Sequence, residues 1–389
     1  MSSNLLSLIL AFALGSAVLP DPAQTFAEID QLAEAGTRRG IYPGAVVVIG
    51  RRDSILYARG YGHFTWNPRS PVPTPDSTYW DIASITKVVG TASAVMRLVD
   101  AGRIDLDAPV RRYLPRFSGG PKDQVTIRML LDHTSGLRSY AAFFKQTRSR
   151  DGAVELLYSE RLIRRPGDEP LYSDLNAILL GVVVESVAGM PLDRFVHREV
   201  FEPLELHQTT YRPPPSIHRR TVPTALWRGH PVQGQVNDPN AALFGGAAGH
   251  AGIFSTGMDL ARYAQVWLRA GAGPNGQWVS QKTIKRFLTP SSNSGPRLLG
   301  WDTPELNKDE PSLYGTLISD AAYGHTGFTG TEIWIDPTRD LFLVFLTNRT
   351  FDSKVRNSAH SLRAIRTELS DAAIRLVPHA CQQELVAGC

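Results

Sequence analysis

The hydrophobic positions change period along the chain. From Phe26 to Arg38, Ile29, Leu32 and Ala33 recur at helical spacing, and Gly40 and Pro43 end the run. Ala45-Val46-Val47-Val48-Ile49 and Ser54-Ile55-Leu56-Tyr57-Ala58 then read as strands. Gly50-Arg51-Arg52-Asp53 between them predicts a hairpin. A helix is expected from Ser84 through Val88, Val95 and Leu98 to about Gly102, and residues from roughly 88 to 205 read as mostly helical. Within that stretch Thr126 is the expected N-cap of a helix over Ile127 to His133. Ala153 to Leu162 is amphipathic, and Leu175 to Val187 carries a broad apolar face.

From Tyr211 to Gly252 the composition turns to Pro, Gly, His and Arg, and the segment closes on Gly245-Gly246-Ala247-Ala248-Gly249-His250-Ala251-Gly252. Long irregular segments in compact domains are commonly functional, so this one is expected to frame a cleft. Thr256, with Asp259 three residues on, is expected to cap a helix running to Ala270. Strands return at Thr331 to Ile335 and Leu341 to Leu346, around the turn 336–340, before a last helix from Lys354 to Leu369. Strands at both ends with helices between predict an α+β fold: one sheet built from the two termini, plus a helical insertion.

Composition narrows the class. The 389 residues are 42% hydrophobic and 20% charged, enough for one large core or two moderate ones. The net charge of +4 comes from 41 basic and 37 acidic residues without long single-sign blocks, which argues against nucleic acid as a partner. Leu5 to Leu19 is apolar and uncharged, with Gly15, Ser16 and Ala17 before Pro20, so residues 1–20 read as a signal peptide. The rival reading is an uncleaved N-terminal anchor, although about fifteen apolar residues fall short of the roughly 20 that a span needs. No second long apolar run follows. The expected location is therefore periplasmic or secreted, with a folded domain over 24–370 and a tail over 371–389. Cys381 and Cys389 lie in that tail, as a small disulfide or as loose thiols; they lack zinc-site spacing. Neither H-E-x-x-H nor any comparable ligand spacing occurs, so no metal or other cofactor is expected.

Three short elements carry candidate chemistry. A serine hydroxyl needs a neighbouring base, and Ser84-Ile85-Thr86-Lys87 puts a lysine three residues on, on the same helix face. Desolvation in a cleft would help that lysine shed its charge. The alternative is a surface helix start merely capped by Ser84. Tyr172-Ser173-Asp174 precedes a predicted helix and could present a phenol and a carboxylate. A phenol beside a cationic lysine can shuttle a proton, and the alternative is a half-buried tyrosine at a helix start. His325-Thr326-Gly327 offers a strand edge with a hydrogen-bond donor and close backbone approach, or else an ordinary turn.

Taken in order, these elements resemble the serine β-lactamase and penicillin-binding protein superfamily, with its S-x-x-K, Y-x-N or S-x-N, and K-T-G motifs. Leu130-Leu131-Asp132-His133-Thr134-Ser135-Gly136-Leu137 and Gly249 to Thr256 are similar to segments of its class C β-lactamase-like and esterase branch. The resemblance implies an antiparallel sheet flanked by terminal helices, an all-helical region alongside, and a site in the groove between them. It further implies Ser84 as nucleophile, Lys87 assisting its deprotonation, and Tyr172 as proton shuttle. The backbone N–H groups of Ser84 and Phe328 would form the oxyanion hole, and Asp174, His325, Thr326 and Gly327 would contact substrate.

Two positions depart from the pattern: Asp174 replaces the usual Asn, and His325 the usual Lys. His325 is expected to be largely neutral unless a neighbour such as Asp174 raises it, which weakens the case for potent β-lactamase activity. The expected activity is hydrolysis of an amide, peptide or ester through an acyl-enzyme, by a D-amino-acid peptidase or esterase of the cell envelope. Its expected partner is a small-molecule or peptide substrate, peptidoglycan fragments among them. The competing readings are a true β-lactamase and an inert penicillin- or muropeptide-binding protein. The lack of any G-x-S-x-G disfavours an α/β-hydrolase.

Overall fold

The computed structural model describes residues 22–291, 294–295, 297–304 and 312–376. The expected leader and both cysteines lie outside them. Helix α1 (Pro22–Arg38) precedes the predicted hairpin, β1 (Gly44–Arg51) and β2 (Ser54–Gly62), whose register closes on Arg51↔Ser54. After the short β3 (Trp80–Asp81), a 3₁₀ turn (Ala83–Ile85) and a π-helical turn (Lys87–Ala92) lead into α2 (Ser93–Asp100). The insertion continues through α3 (Ile127–Leu131), α4 (Arg150–Ser159), α5 (Asp174–Ala188) and α6 (Leu192–Val196), then β4 (Thr210–Tyr211).

The segment 211–252 is less irregular than its composition implies. It holds a 3₁₀ turn, the small hairpin β5 (Ala225–Trp227) and β6 (His230–Val232), and α7 (Pro239–Leu243). Next come β7 (Ile253–Ser255), α8 (Gly257–Leu268), the two-residue strands β8 (Ala272–Gly273) and β9 (Gly276–Gln277), and α9 (Gln281–Phe287). The chain then supplies β10 (Tyr323–Thr326), β11 (Glu332–Asp336), β12 (Leu341–Thr347) and α10 (Ser358–Leu376).

The main sheet is antiparallel with order β10-β11-β12-β1-β2, so the two ends of the chain meet where Ala45 faces Thr347. Successive side chains of a strand point to opposite faces. On β1, Val47 and Ile49 pack with Ile29, Ile365 and Leu369 of the terminal helices, while Val46 and Val48 join the core shared with α8 and the insertion. Both faces are covered, which is why β1 and β12 read as unbroken apolar runs. A smaller sheet, β3-β7-β4, links the insertion to the segment that leads into the 3₁₀ turn at Ala83.

Several boundaries differ from the expected ones for local reasons. Helix α3 ends at Leu131 instead of His133, because the Asp132 carboxylate takes the Thr134 N–H (3.2 Å) and hydroxyl (2.6 Å) and His133 turns to φ +63°. Helix α4 starts at Arg150 under a Ser149 cap and stops short of Leu162. Thr256 caps α8 as expected, by accepting from Asp259 N at 3.2 Å. The Asp259 carboxylate does not reciprocate and instead accepts from Gln208 N and Thr209 Oγ1. Helix α10 begins at Ser358 instead of Lys354 and runs to Leu376, so 371–376 belongs to the fold and not to a tail. Asp371 accepts from Thr316 N (2.7 Å), Thr316 Oγ1 (2.7 Å) and Leu317 N (2.9 Å), and Ala372, Ala373 and Ile374 are buried.

Asp371→Ala removes the acceptor of two backbone N–H groups and is expected to cost about 1–3 kcal/mol in denaturant unfolding. An unchanged midpoint would show that the Asp371 hydrogen bonds add no stability.

Candidate active site

Ser84 sits where β3 hands the chain to the insertion. The buried Asp81 carboxylate accepts from Ala83 N (2.9 Å) and from Asn237 N (2.7 Å), and Ala83 itself takes φ +48°, a conformation that a residue with a Cβ seldom adopts. The π-helical turn that follows carries Lys87, which is 4% exposed. Its Nζ donates to Ser84 Oγ at 2.8 Å and to the His250 carbonyl at 3.3 Å, and pairs with Asp174 Oδ1 at 2.7 Å. The expected serine–lysine contact is therefore present, and Asp174, expected to contact substrate, is engaged with Lys87.

The loop after α3 cradles the second element. Leu171 N donates to His133 O (2.9 Å), Ser173 N to His133 Nδ1 (3.1 Å), Ser173 Oγ to Arg138 O (2.6 Å) and Asp174 N to Ser139 O (2.9 Å). Ser173 also caps α5. With Nδ1 accepting, the His133 proton belongs on Nε2. The Tyr172 ring lies between the His133 and His325 rings, at centroid distances of 4.8 and 5.9 Å, and Lys87 Nζ is 5.0 Å from its centre.

The third element occupies the outer strand of the sheet, β10, which Asp302 bridges at Gly324, and the turn beyond it. A Cβ at Gly327 would collide with Thr331 Oγ1 and come within 2.6 Å of Ile82 O, so glycine is needed for the turn to lie against β3. Thr329 Oγ1 donates to Asp81 O (2.7 Å) and Thr331 Oγ1 to Ile82 O (3.1 Å), lacing this turn to the backbone just ahead of Ser84. Phe328 is 67% exposed.

These elements converge on a cleft with a volume of about 690 Å³, lined by Ser84, Tyr172, Asp174, His325, Thr326, Gly327 and Phe328, with Lys87 behind Ser84. The segment 211–252 contributes Asn237, Asp238, Pro239, His250 and Ala251, which bears out its expected place at a cleft. Sequence reasoning missed Asp81, Asp238, His250, Arg297, Asp302, Arg349 and Arg366, all of which line it. His250 Nε2 pairs with Asp238 Oδ1 at 2.8 Å, and Arg297 pairs with Asp302 while its guanidinium stands 5.6 Å from the Tyr172 ring centre. His133 and His250 stand in recognisable segments; the arginines and Asp302 carry no pattern.

The electrostatics revise two expectations. Burial pushes the Lys87 ammonium down, but Tyr172 and Asp174 outweigh it and hold the group above its ordinary range, so Lys87 keeps its charge. Burial also raises the Tyr172 phenol. Lys87 pulls it back while Asp174 pushes it further up, and the balance lies above the ordinary value. For His325, burial lowers the imidazole to about 4, and the carboxylate that opposes this is Asp302, not Asp174. His325 is thus neutral at pH 7, with Nδ1 2.9 Å from Thr326 O. Burial, with the Arg297 and Lys87 charges, likewise keeps His133 neutral. The arrangement is a hydroxyl hydrogen-bonded to a fixed cation, beside a phenol able to take up or return a proton.

The family model described as Beta-lactamase matches residues 29–367. The chain belongs to the β-lactamase family. It is a serine hydrolase of the β-lactamase and penicillin-binding protein superfamily. The N-acetylmuramyl-L-alanine amidase of Bacillus subtilis (strain 168) is 33% identical over 356 residues, covering 83% of this chain and 80% of that protein. Among solved structures, EstCE1, a hydrolase with promiscuous acyltransferase activity, superposes with a TM-score of 0.72 at 21% identity, covering 91% of this chain and 99% of its own. A penicillin-binding protein homologue from Caulobacter crescentus gives 0.69 at 22% identity, covering 92% and 99%. These likenesses agree with the β-lactamase/transpeptidase-like α+β fold expected from the sequence.

Asp174→Asn removes the negative charge that holds both Lys87 and Tyr172 up, so both are expected to lose their protons at lower pH. Ultraviolet difference titration of Tyr172 and carbon-13 NMR of Lys87 would read the shifts. Unmoved or raised values would mean that the Asp174 charge holds neither group up.

Proposed function

We propose that the protein hydrolyses an amide or ester bond of a peptidoglycan-derived substrate through a covalent acyl-enzyme on Ser84. The observation that carries this reading is the 2.8 Å bond from Lys87 Nζ to Ser84 Oγ at a cleft wide enough for a peptide. Lys87 acts as a fixed ammonium that lowers the cost of a Tyr172 phenolate. Tyr172, protonated at rest, takes the Ser84 proton as Oγ attacks the substrate carbonyl while passing its own proton to the leaving amine or alcohol. In deacylation the same group takes a proton from the attacking water and gives it back to Ser84. The N–H groups of Ser84 and Phe328 receive the developing oxyanion, and such a donor contributes about 3–4 kcal/mol to transition-state stabilisation. Thr326 and Gly327 line the path of the substrate along the β10 edge.

The amidase from B. subtilis supports a bond in the cell wall as the target, and with it a location in the envelope or outside the cell. A neutral His325 supplies no cation at the third motif, which favours an amidase, peptidase or esterase over a β-lactamase. The intact contact between Ser84 and Lys87 favours an enzyme over an inert binder.

Intact-protein mass spectrometry after fluorophosphonate treatment should show one adduct, mapping to Ser84 and absent from Ser84→Ala. The variant should also lose at least about 10³-fold in ester and N-acetylmuramyl-peptide turnover. Equal turnover by wild type and variant would overturn the assignment.

A further inference from the structure

The segment that carries Lys87 is anchored at both ends by different neighbours. At its start Thr86 Oγ1 accepts from Ile253 N at 3.2 Å, and Lys87 makes its contacts to Ser84, Asp174 and the His250 carbonyl. At the far end of α2, Arg97 pairs with Glu199 at 3.2 Å, and Asp100 accepts from Thr283 Oγ1 at 2.6 Å and Ser280 N at 3.2 Å. Between these anchors Lys87–Ala92 is wound as a π-helical turn. One residue more than an α-helical turn holds amounts to a rotation of about 100°, so this turn brings the Ser84–Lys87 face and the α2 face into phase.

Three contacts receive the turn. Gly90 lies against β4 and β7, where a Cβ would come within 2.7 Å of Tyr211 Oη and 2.8 Å of Ile253 Cδ1. Thr91 Oγ1 donates to Gly249 O at 2.7 Å. The third contact is at Val88, whose carbonyl accepts from Ser93 N across the π-helical ring and lies 2.9 Å from both Ser93 Oγ and Tyr263 Oη. Those two hydroxyls are 2.8 Å apart, and both residues are fully buried. Three oxygens in a triangle share two hydroxyl protons, so at least one proton points at Val88 O. Burial pushes the Tyr263 phenol up, which keeps it a donor. In an α-helix Val88 O would accept from Ala92 N, and hydroxyls that claim the same carbonyl favour the wider ring.

We infer that Ser93 and Tyr263 are positioning residues that hold the π-helical turn open and so fix Lys87 against Ser84, Asp174 and Tyr172. The inference rests on the reading of Ser84 and Lys87 as the reacting pair. Tyr263 belongs to α8, which packs on the main sheet, so its hydroxyl links the sheet to the helix that bears the ammonium. With α2 held by Glu199, Ser280 and Thr283, relaxation of the turn falls on its Lys87 end and draws the ammonium away from Asp174 and Tyr172.

The test compares the full-length wild type with Tyr263→Phe, Ser93→Ala and the two combined. Each single variant leaves one hydroxyl on Val88 O, so the singles decide the matter if the double variant does not fold. In the double variant, fluorophosphonate labelling of Ser84 and kcat for 4-nitrophenyl valerate should fall about tenfold with KM little changed, and in each single variant about threefold. Carbon-13 NMR should show Lys87 losing its proton at lower pH, because burial then acts with less opposition from Asp174 and Tyr172. Thermal unfolding is the control. A lower midpoint with either the Lys87 titration or the Ser84 labelling unmoved would mean that the two hydroxyls only stabilise the core, and would overturn the inference. Folded variants indistinguishable from wild type would overturn it too. Labelling at a residue other than Ser84 would instead overturn the nucleophile, and the Lys87 titration would still report on the turn.

Discussion

Burying the Lys87 ammonium obliges the surrounding chain to supply enough negative charge and hydrogen-bond acceptors to keep it charged. The fold meets that demand from three separate places: Ser84 one turn back, Asp174 at the head of α5, and the His250 carbonyl in the segment that frames the cleft. Each of these contacts also fixes the element that makes it. The charge therefore serves as the point on which the insertion, the framing segment and the Ser84 turn are registered against one another.

A second set of contacts registers the sheet against the same turn. The hydroxyls of Thr329 and Thr331 reach the carbonyls of Asp81 and Ile82, and the missing side chain at Gly327 lets the two backbones approach. The two proposed oxyanion donors come from turns far apart in sequence, yet they are held by neutral, short-range hydrogen bonds. Such donors need no rearrangement when charge develops on the substrate, which is what makes preorganised dipoles effective. Asp81, which also accepts from Ala83 N, ties the strained residue before Ser84 into this lacing.

What is legible in the sequence follows from how local each signal is. The hairpin, the capped helices and the Ser84–Lys87 pair depend on spacings of a few residues, and the structure keeps them. Desolvation, which can be anticipated from sequence, points to a Lys87 without its charge, whereas the proximity of Asp174 and Tyr172, which reverses the outcome, is tertiary. The same holds for His325. Its low basicity is foreseeable from burial on a sheet strand, but its carboxylate neighbour is Asp302 in place of Asp174. Arg297, Arg349 and Arg366 reach the cleft from three unrelated stretches, so no motif marks them. The end of α10 escapes a sequence reading because Asp371, a polar residue in the last turns of an amphipathic helix, resembles the onset of a tail, and its partners at Thr316 and Leu317 lie far away along the chain.

The pairing of Ala45 with Thr347 has a consequence for when the cleft can exist. Chains whose sheets close on contacts distant in sequence must lose the entropy of a very long loop before those contacts form, and they fold slowly as a result. In this chain β12 is the strand that joins β1 to β10 and β11, so the sheet that carries the His325 edge cannot close on β1 before residues 341–347 have been made. A nascent or truncated polypeptide ending ahead of residue 341 carries Ser84, Lys87 and Tyr172 but no scaffold to oppose them to Phe328. The complete cleft, and any activity it supports, therefore depends on the strand that joins the two halves of the sheet.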